Sequence, residues 1–166
     1  MLELRALEPS DVDCLYIWEN NPDMWRYGFA PAPLSRHRLW EYIRSYVADP
    51  ASEGQLRLMI EADGVPVGTV DLYDIDVHNS HAFIGIMIAP PYRRRGYAAA
   101  AIGKMADYCR QCLALKQLGA FVAADNKESL GLFRKCGFME KAILPQWVRR
   151  SNSEYENAYF MTRSLD

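Results

Sequence analysis

No apolar run in the chain approaches the roughly 18 consecutive residues that a membrane-spanning helix needs, so no membrane partner is expected. The N-terminal Met1-Leu2-Glu3-Leu4-Arg5-Ala6 lacks both the basic start and the apolar stretch of a secretory signal, which leaves a cytoplasmic location as the expectation. Charge of neither sign dominates: 19 Lys and Arg stand against 21 Asp and Glu, for a formal net charge of −2. Without a broad basic surface, nucleic acid is not an expected partner. Cysteine is sparse and scattered. Cys14, Cys109, Cys112 and Cys136 do not supply the two spaced pairs of a zinc ribbon. Cys109-x-x-Cys112 falls inside a helical pattern, where reduced, packed thiols are expected. The sequence His78-Asn79-Ser80-His81 reads as a turn between two strands rather than as ligands, so no metal is expected. Repeats, low-complexity tracts and linkers are absent too. The 166 residues fit one domain, 1–166, long enough to bury a core of its own.

What is present is an ordinary soluble composition, 50% hydrophobic and 24% charged, with clear periodicities. Leu2–Leu7 alternates as a short strand. Ser10-Asp11 is placed to cap an amphipathic run over Val12–Asn20. Asn21-Pro22 and Ala30-Pro31-Ala32-Pro33 mark a loop before a helix near Arg36–Val47. Leu56–Ala62 and Val65–Ile75 flank Asp63-Gly64, a strong hairpin signal. Ala82–Ile88 is apolar throughout and reads as a central strand. From Tyr97 to about Leu115, Ala98, Ile102, Met105, Ala106, Cys109 and Leu113 share one helical face. Leu118–Ala123 reads as a buried strand. Asp125 with Glu128 suggests the cap of the next helix, Gly137 its C-terminal stop, and Phe138–Leu144 and Tyr155–Thr162 the last two strands.

The most informative segment joins the central strand to the long helix: Arg93-Arg94-Arg95-Gly96-Tyr97-Ala98. Gly96 can take the positive φ needed where a loop turns abruptly into a helix. The first amides of that helix have no intrahelical partner and lie at the positive end of its dipole. Backbone groups so arranged suit a phosphate or pyrophosphate. The segment is not a P-loop, since Ala98-Ala99 follow where Lys-Ser/Thr is required. Nor is it the dinucleotide fingerprint, because Gly96 is its only glycine. The basic triplet also admits a plainer reading, a solvated start to a helix.

With Arg93, Gly96 and Ala98 in place, the segment resembles R/Q-x-x-G-x-G/A, the acetyl-coenzyme A loop of the GNAT acetyltransferases. A second stretch, Asn126-x-x-Ser129-x-x-Leu132-Phe133-x-Lys135-x-Gly137-Phe138, is similar to that family's N-x-x-S-x-x-L-Y-x-K-x-G-F motif. The resemblance covers the whole chain. It is closest to the bacterial spermidine acetyltransferases and next closest to the branch that acetylates ribosomal-protein N-termini, with Leu4–Glu8, Asn20-Asn21-Pro22 and Arg26-Tyr27 similar in character to both. It implies a mixed α/β GNAT fold, a roughly seven-stranded sheet splayed at its centre with about four helices.

The resemblance further implies an acetyl-CoA-dependent N-acetyltransferase with a small-molecule amine as acceptor, spermidine or another polyamine among them, and it leaves room for a homo-oligomer. By the same resemblance the coenzyme arm pairs with Ile86 to Ile88, one of whose amides, placed at Ile88, faces the thioester carbonyl. The N–H groups of Arg94, Arg95, Gly96, Tyr97, Ala98 and Ala99, next to Arg93, would hold the pyrophosphate. Asn126 and Ser129 would touch the arm from the far wall, with Phe133 beside it and Lys135 near a phosphate. Helix capping by Asn126 and a solvated charge at Lys135 are the plainer readings. Two departures stand out: Phe133 replaces the Tyr that serves as general acid in the spermidine enzymes, and Phe83 replaces a Glu near the reacting amine. Asp71 and Asp74 remain to hold a cationic amine or relay its proton, with His78, His81, Tyr97 and Tyr159 as weaker substitutes. Phe29-Ala30-Pro31 stands where polyamine-regulated relatives carry an acidic pair, which argues against a regulatory polyamine site. Two other readings stay open: acetylation of protein N-termini, and coenzyme binding without efficient catalysis.

Overall fold

Asp63 and Gly64, both at positive φ (50° and 79°), make the tight turn that the sequence signals. They join strand β2 (Leu56–Ala62) to strand β3 (Val65–Asp76). The structure is a computed structural model and describes residues 1–25, 32–47 and 49–166. Before this hairpin come β1 (Leu2–Arg5), α1 (Val12–Glu19), the single turns α2 (Pro22–Trp25) and α4 (Pro50–Glu53), and between those two α3 (Arg36–Ser45). After it come β4 (His81–Ile88), α5 (Tyr97–Gln111), β5 (Gln117–Ala123), α6 (Lys127–Lys135), β6 (Met139–Arg149) and β7 (Tyr155–Ser164). The strands form one seven-stranded sheet in the order β1-β2-β3-β4-β5-β7-β6. All neighbours are antiparallel except β4 and β5. The mixed α/β architecture expected from the resemblance is therefore what the chain adopts.

Alternation along the strands gives the sheet two apolar faces, each covered by helices. Val70, Leu72, Ala82, Ile84, Leu118, Ala120 and Met161 lie with Ile102, Met105 and Cys109 of α5 and Leu130 and Phe133 of α6 in the larger core. Met59 faces the other way, into a smaller core with Leu15 and Trp18 of α1 and Leu39 and Ile43 of α3.

Local details depart from the sequence reading for identifiable reasons. Ser10-Asp11 does not cap α1. Asp11 is buried and turned back, accepting hydrogen bonds from Arg5 Nη1 and Nη2 at 2.8 Å each and from the Glu8 amide at 2.8 Å. Asp125 does not cap α6 either. Asn126 Oδ1 takes that place, accepting from the Ser129 amide at 3.1 Å, while Asp125 pairs with Arg150 at 2.6 Å. α5 ends at Gln111, four residues before Leu115, because Ala114 turns to a left-handed φ of 51°. Leu115 remains buried from the turn that follows, which is why the apolar periodicity outlasts the helix. Gly137 does stop α6, at φ 84°, with its amide donating to the Arg134 carbonyl and Phe138's to that of Phe133. β6 runs past Leu144 to Arg149 through a register shift at Gln146, whose amide donates to Asn157 Oδ1 at 3.0 Å.

Candidate functional site

β4 and β5 meet over only three pairs, His81 with Gln117, Ala82 with Leu118 and Phe83 with Gly119. Beyond Phe83 they part, while β4 stays paired with β3 as far as Ile88. From the Ile84 carbonyl to Ile88 the strand thus presents one bare edge to a fork in the middle of the sheet. The direction of its groups follows from the ladder. The Ala89 amide donates to the Val67 carbonyl at 2.9 Å. By alternation Met87 and Gly85 also point to β3, so the groups of Ile84, Ile86 and Ile88 point away from it; the Ile84 amide closes the last pair with Gly119, and the Ile86 and Ile88 amides are the ones left to the fork. Gly68 makes this pairing sterically feasible: a Cβ there would sit 2.1 Å from the Met87 carbonyl oxygen. Five residues of bare edge extend over roughly 16 Å, enough for an extended ligand arm to add as a strand.

The bare edge leads into the Arg-rich loop. Arg94 and Gly96 have positive φ, 60° and 82°, and the first intrahelical bond of α5 runs from the Ala100 amide to the Gly96 carbonyl at 3.1 Å. The amides of Tyr97, Ala98 and Ala99 are consequently left without intrahelical acceptors at the dipole's positive end. A Cβ on Gly96 would meet no atom within 4 Å, so its glycine answers to backbone conformation and not to crowding. The arginine side chains are not equivalent. Arg93 folds back, its Nε donating to the Ile88 carbonyl at 3.0 Å and its Nη2 lying 3.0 Å from Met24 Sδ. Arg95 Nη2 donates to the Pro91 carbonyl at 3.1 Å. All three are exposed; Arg93 ties the strand end to the loop, and Arg94 is the member of the triplet without a hydrogen bond among the described residues.

Across the fork, Asn126 and Ser129 sit together at the start of α6, where the Asn126 side-chain Oδ1 serves as cap and its Nδ2 has no acceptor among the described residues. Lys135 is exposed at the opposite end of this helix, roughly 12 Å along its axis. Phe133 is only 3% exposed and packs edge-to-face on Phe138, with ring centroids 4.9 Å apart. It is part of the core wall behind α6.

The opposite face of the fork is made of side chains. Asp71 accepts from Arg57 Nε at 2.6 Å and Nη2 at 3.2 Å, and Arg57 Nη1 also donates to Glu19 of α1 at 3.0 Å. Burial works against the Arg57 charge, yet Asp71 and Glu19 together hold its pKa above the usual arginine value. Arg57 and Glu19 had no distinctive sequence signal, because only the β2–β3 register brings Arg57 opposite Asp71. Asp74 lies in a bulge of β3 at φ 47°, exposed and without a hydrogen bond or ion pair among the described residues. Between the two acids, burial first and the charges of Asp74 and Asp71 second push the Tyr73 phenol up to about 12, so it remains a neutral O–H donor.

Tyr73 also begins a row of rings across four strands. It stacks on Phe83 (5.6 Å, 23°), Phe83 on Phe121 (5.0 Å, 14°) and Phe121 on Phe160 (5.2 Å, 29°), with His81 set edge-on to Phe83. His78 belongs to the turn held by Asp76, which accepts from the Asn79 amide and Nδ2. Tyr97 and Tyr159 pack against the larger core. Among the described residues no cluster of three or more His, Cys, Asp or Glu is placed to hold a metal ion. Cys109 is fully buried, and burial pushes its thiol up to about 12. Arg26-Tyr27 and Phe29-Ala30-Pro31 lie outside the described residues.

Comparisons with known proteins agree with this geometry. The family described as Acetyltransferase (GNAT) domain matches residues 1–139. The spermidine N(1)-acetyltransferase of Vibrio cholerae is 31% identical over 144 residues, 86% of this chain and 82% of that protein. A crystal structure of spermidine N-acetyltransferase from Vibrio cholerae in complex with CoA and spermine is similar at a TM-score of 0.88 and 28% identity, covering 99% of this chain and 95% of the other. A dodecameric structure of the Vibrio cholerae enzyme is similar at a TM-score of 0.82 and 26% identity, over 99% of this chain and 94% of the other.

Proposed function

The chain belongs to the GNAT acetyltransferases, and we propose that it transfers the acetyl group of acetyl-CoA to a primary amine of a small cationic molecule, spermidine or another polyamine. The observation that carries this reading is the bare edge of β4 running straight into the uncapped N-terminus of α5. An arm with amide groups adds to such an edge through the Ile86 and Ile88 backbone, while a pyrophosphate takes the amides from Arg94 to Ala99. Both the coenzyme's arm and its phosphates are thereby matched by backbone groups, the Ile86 pair, the Ile88 amide and the α5 amides, that have no partner within the sheet or helix. Acetyl-CoA supplies the activated acyl group as a thioester.

The residues then divide the remaining tasks. With the phosphates beyond Ile88, the reactive end of the arm lies further along the edge, so the Ile86 amide, which points into the fork, is the group that can stabilise charge developing on the thioester oxygen. The amine, an ammonium with a pKa near ~10, must lose its proton before attack. Asp74 is the acid with a free carboxylate on the acceptor face, whereas Asp71 is already neutralised by Arg57. Asp74 is accordingly the group that holds the ammonium and passes on its proton, and Asp71 shapes the field around it. A thiol of pKa about 8.5 leaves readily enough that the absence of a Tyr hydroxyl at Phe133 is tolerated.

Assembly of several copies is part of the same reading. The outer strand β6 exposes Met139, Ile143 and Trp147, each more than half accessible, along an edge with no further strand, and a relative of known structure is dodecameric. The test of function is coenzyme release in the presence of acetyl-CoA and a panel of spermidine, monoamines and peptides. Amine-dependent release that is fastest with small amines supports the proposal. Release with peptides alone assigns the chain to protein N-termini, and tight coenzyme binding without any turnover makes it a binder.

A further inference from the structure

The ring row on the acceptor face has a consequence for what the enzyme selects. Phe83 lies at the point where β4 and β5 part, and its ring leans across onto β5. A Cβ on Gly119 would come within 2.8 and 2.9 Å of two Phe83 ring carbons, so only glycine leaves room for it. One step further along β4, Gly85 leaves a gap with no side chain. The nearest atoms to a Cβ there would be Tyr73 Cε1 at 3.9 Å and Asp71 Cβ at 4.0 Å. An arm that enters from the α5 loop and runs along the bare edge directs its reactive end toward this gap. An amine reaching that end from the acceptor face must therefore pass Gly85, between Tyr73 and Phe83.

What it meets there is apolar. Tyr73, Phe83 and Phe121 stack on one another, so their negatively polarised faces are mutually covered and their positively polarised rims are left outward. A rim is a poor place for a cation but a good one for methylene groups. The row continues into a cavity of about 260 Å³ whose lining pairs Phe83, Gly119 and Phe160 with the polar Asn79, Lys116 and Gln117, and it offers a second cation no carboxylate. Position 83 supplies no charge, and the Asp71 carboxylate is paired with Arg57.

We infer that the carbon chain next to the reacting amine lies across the rims of Tyr73, Phe83 and Phe121, so that the acceptor is chosen by apolar length more than by a second positive charge. This rests on the amine-acetylation reading given above and adds its selectivity. Phe83 is the specificity-determining residue, and Gly85 and Gly119 provide the space it requires.

The experiment is kcat/KM with acetyl-CoA for n-alkyl monoamines from ethylamine to hexylamine, with spermidine alongside, in the wild-type protein and in Phe83→Ala and Phe121→Ala. A methylene moved from water onto an apolar surface is worth about two- to fourfold, which predicts a rise of roughly 20- to 200-fold across the series. Nonylamine, which matches spermidine in chain length and is measured beside the series, should come within about tenfold of it. Both substitutions should flatten the rise. Phe121 is 39% exposed, so its truncation keeps the test valid should Phe83→Ala fail to fold. A flat series in the wild type, or an unchanged slope in the folded variants, overturns the inference while leaving amine acetylation intact. Absence of turnover with every amine overturns both.

Discussion

On the coenzyme side of the fork the groups offered to a ligand belong to the backbone, whereas on the acceptor side they are side chains, most of which already have partners. The Ile86 amide and carbonyl, the Ile88 amide and the α5 amides present unpaired backbone groups whose directions are set by the ladder and the helix. Such a surface tolerates wide change in sequence, because almost any residue supplies the same backbone. Arg57, Asp71, Glu19 and the ring row depend instead on the identity of each residue and on its neighbours. The difference explains how one family keeps its coenzyme and changes its acceptor. Here the coenzyme wall keeps the family pattern, and both notable departures, Phe83 and Phe133, are side-chain changes.

The largest expected effect strikes the backbone wall at Gly96. Gly96→Asp adds a carboxylate where the pyrophosphate is proposed to bind and places a side chain at φ 82°. Acetyl-CoA affinity should fall by roughly 100-fold or more, the equivalent of losing two charge-assisted hydrogen bonds, as read by calorimetry. Wild-type affinity would remove the loop from the site.

The acceptor side should respond in stability as well as in catalysis. Arg57→Met leaves Asp71 and Glu19 facing each other without their cation. A loss of roughly 2–3 kcal/mol is expected, lowering Tm by about 5–10 °C, with coenzyme affinity unchanged. Asp74→Asn sharpens the contrast between the two acids. It should leave Tm unchanged while raising KM for the best amine by about 10-fold, because its carboxylate has only the substrate to hold. Equal effects of Asp71→Asn and Asp74→Asn on Tm and KM would erase that distinction.

Phe133→Tyr is expected to do less. Its ring is enclosed by the core and lies against Phe138, so a new hydroxyl reaches the fork only by a small shift of α6. A rise in kcat of a few-fold with unchanged coenzyme affinity is expected, below the 10²–10⁴-fold of a well-placed proton donor, roughly speaking. No change on any amine would mean that this position stays behind the wall.

The smallest effect concerns pH and lies outside both walls. Burial alone would raise the Asp11 pKa, but hydrogen bonds from Arg5 and the Glu8 amide bring it below the usual carboxylate value. A depressed folded-state pKa contributes stability that is present above the unfolded value, about 3.9, and is lost as pH falls through the folded one. Acid unfolding below about pH 4 should therefore be less steep in Asp11→Asn than in the wild type, with coenzyme binding at neutral pH alike in both.

The contrast between the walls also marks what could be read before the structure. The Arg93–Ala98 loop and the apolar run of β4 were legible because backbone sites leave sequence traces: a glycine at a turn, small residues after it and an unbroken hydrophobic strand. The Asp63-Gly64 turn and the Gly137 stop were legible for the same reason. The Arg57–Asp71 pair was not, since it joins two strands whose register no local pattern specifies. Nor was the ring row, drawn from β3, β4, β5 and β7, residues 73 to 160. Asp11 and Asp125 misled as caps because an acid before a helix serves equally well as the partner of a distant arginine, and here Arg5 and Arg150 claimed them.

The central claim is that the coenzyme adds as a strand to the bare edge of β4 and ends on the amides of α5. Residue-resolved amide hydrogen exchange with and without CoA tests it directly. New protection is expected at Ile86, Ile88, Tyr97, Ala98 and Ala99, and none at Gly85 or Met87, whose amides already face β3. Protection absent from Ile86 and Ile88, or spread evenly over both alternating sets, would contradict it.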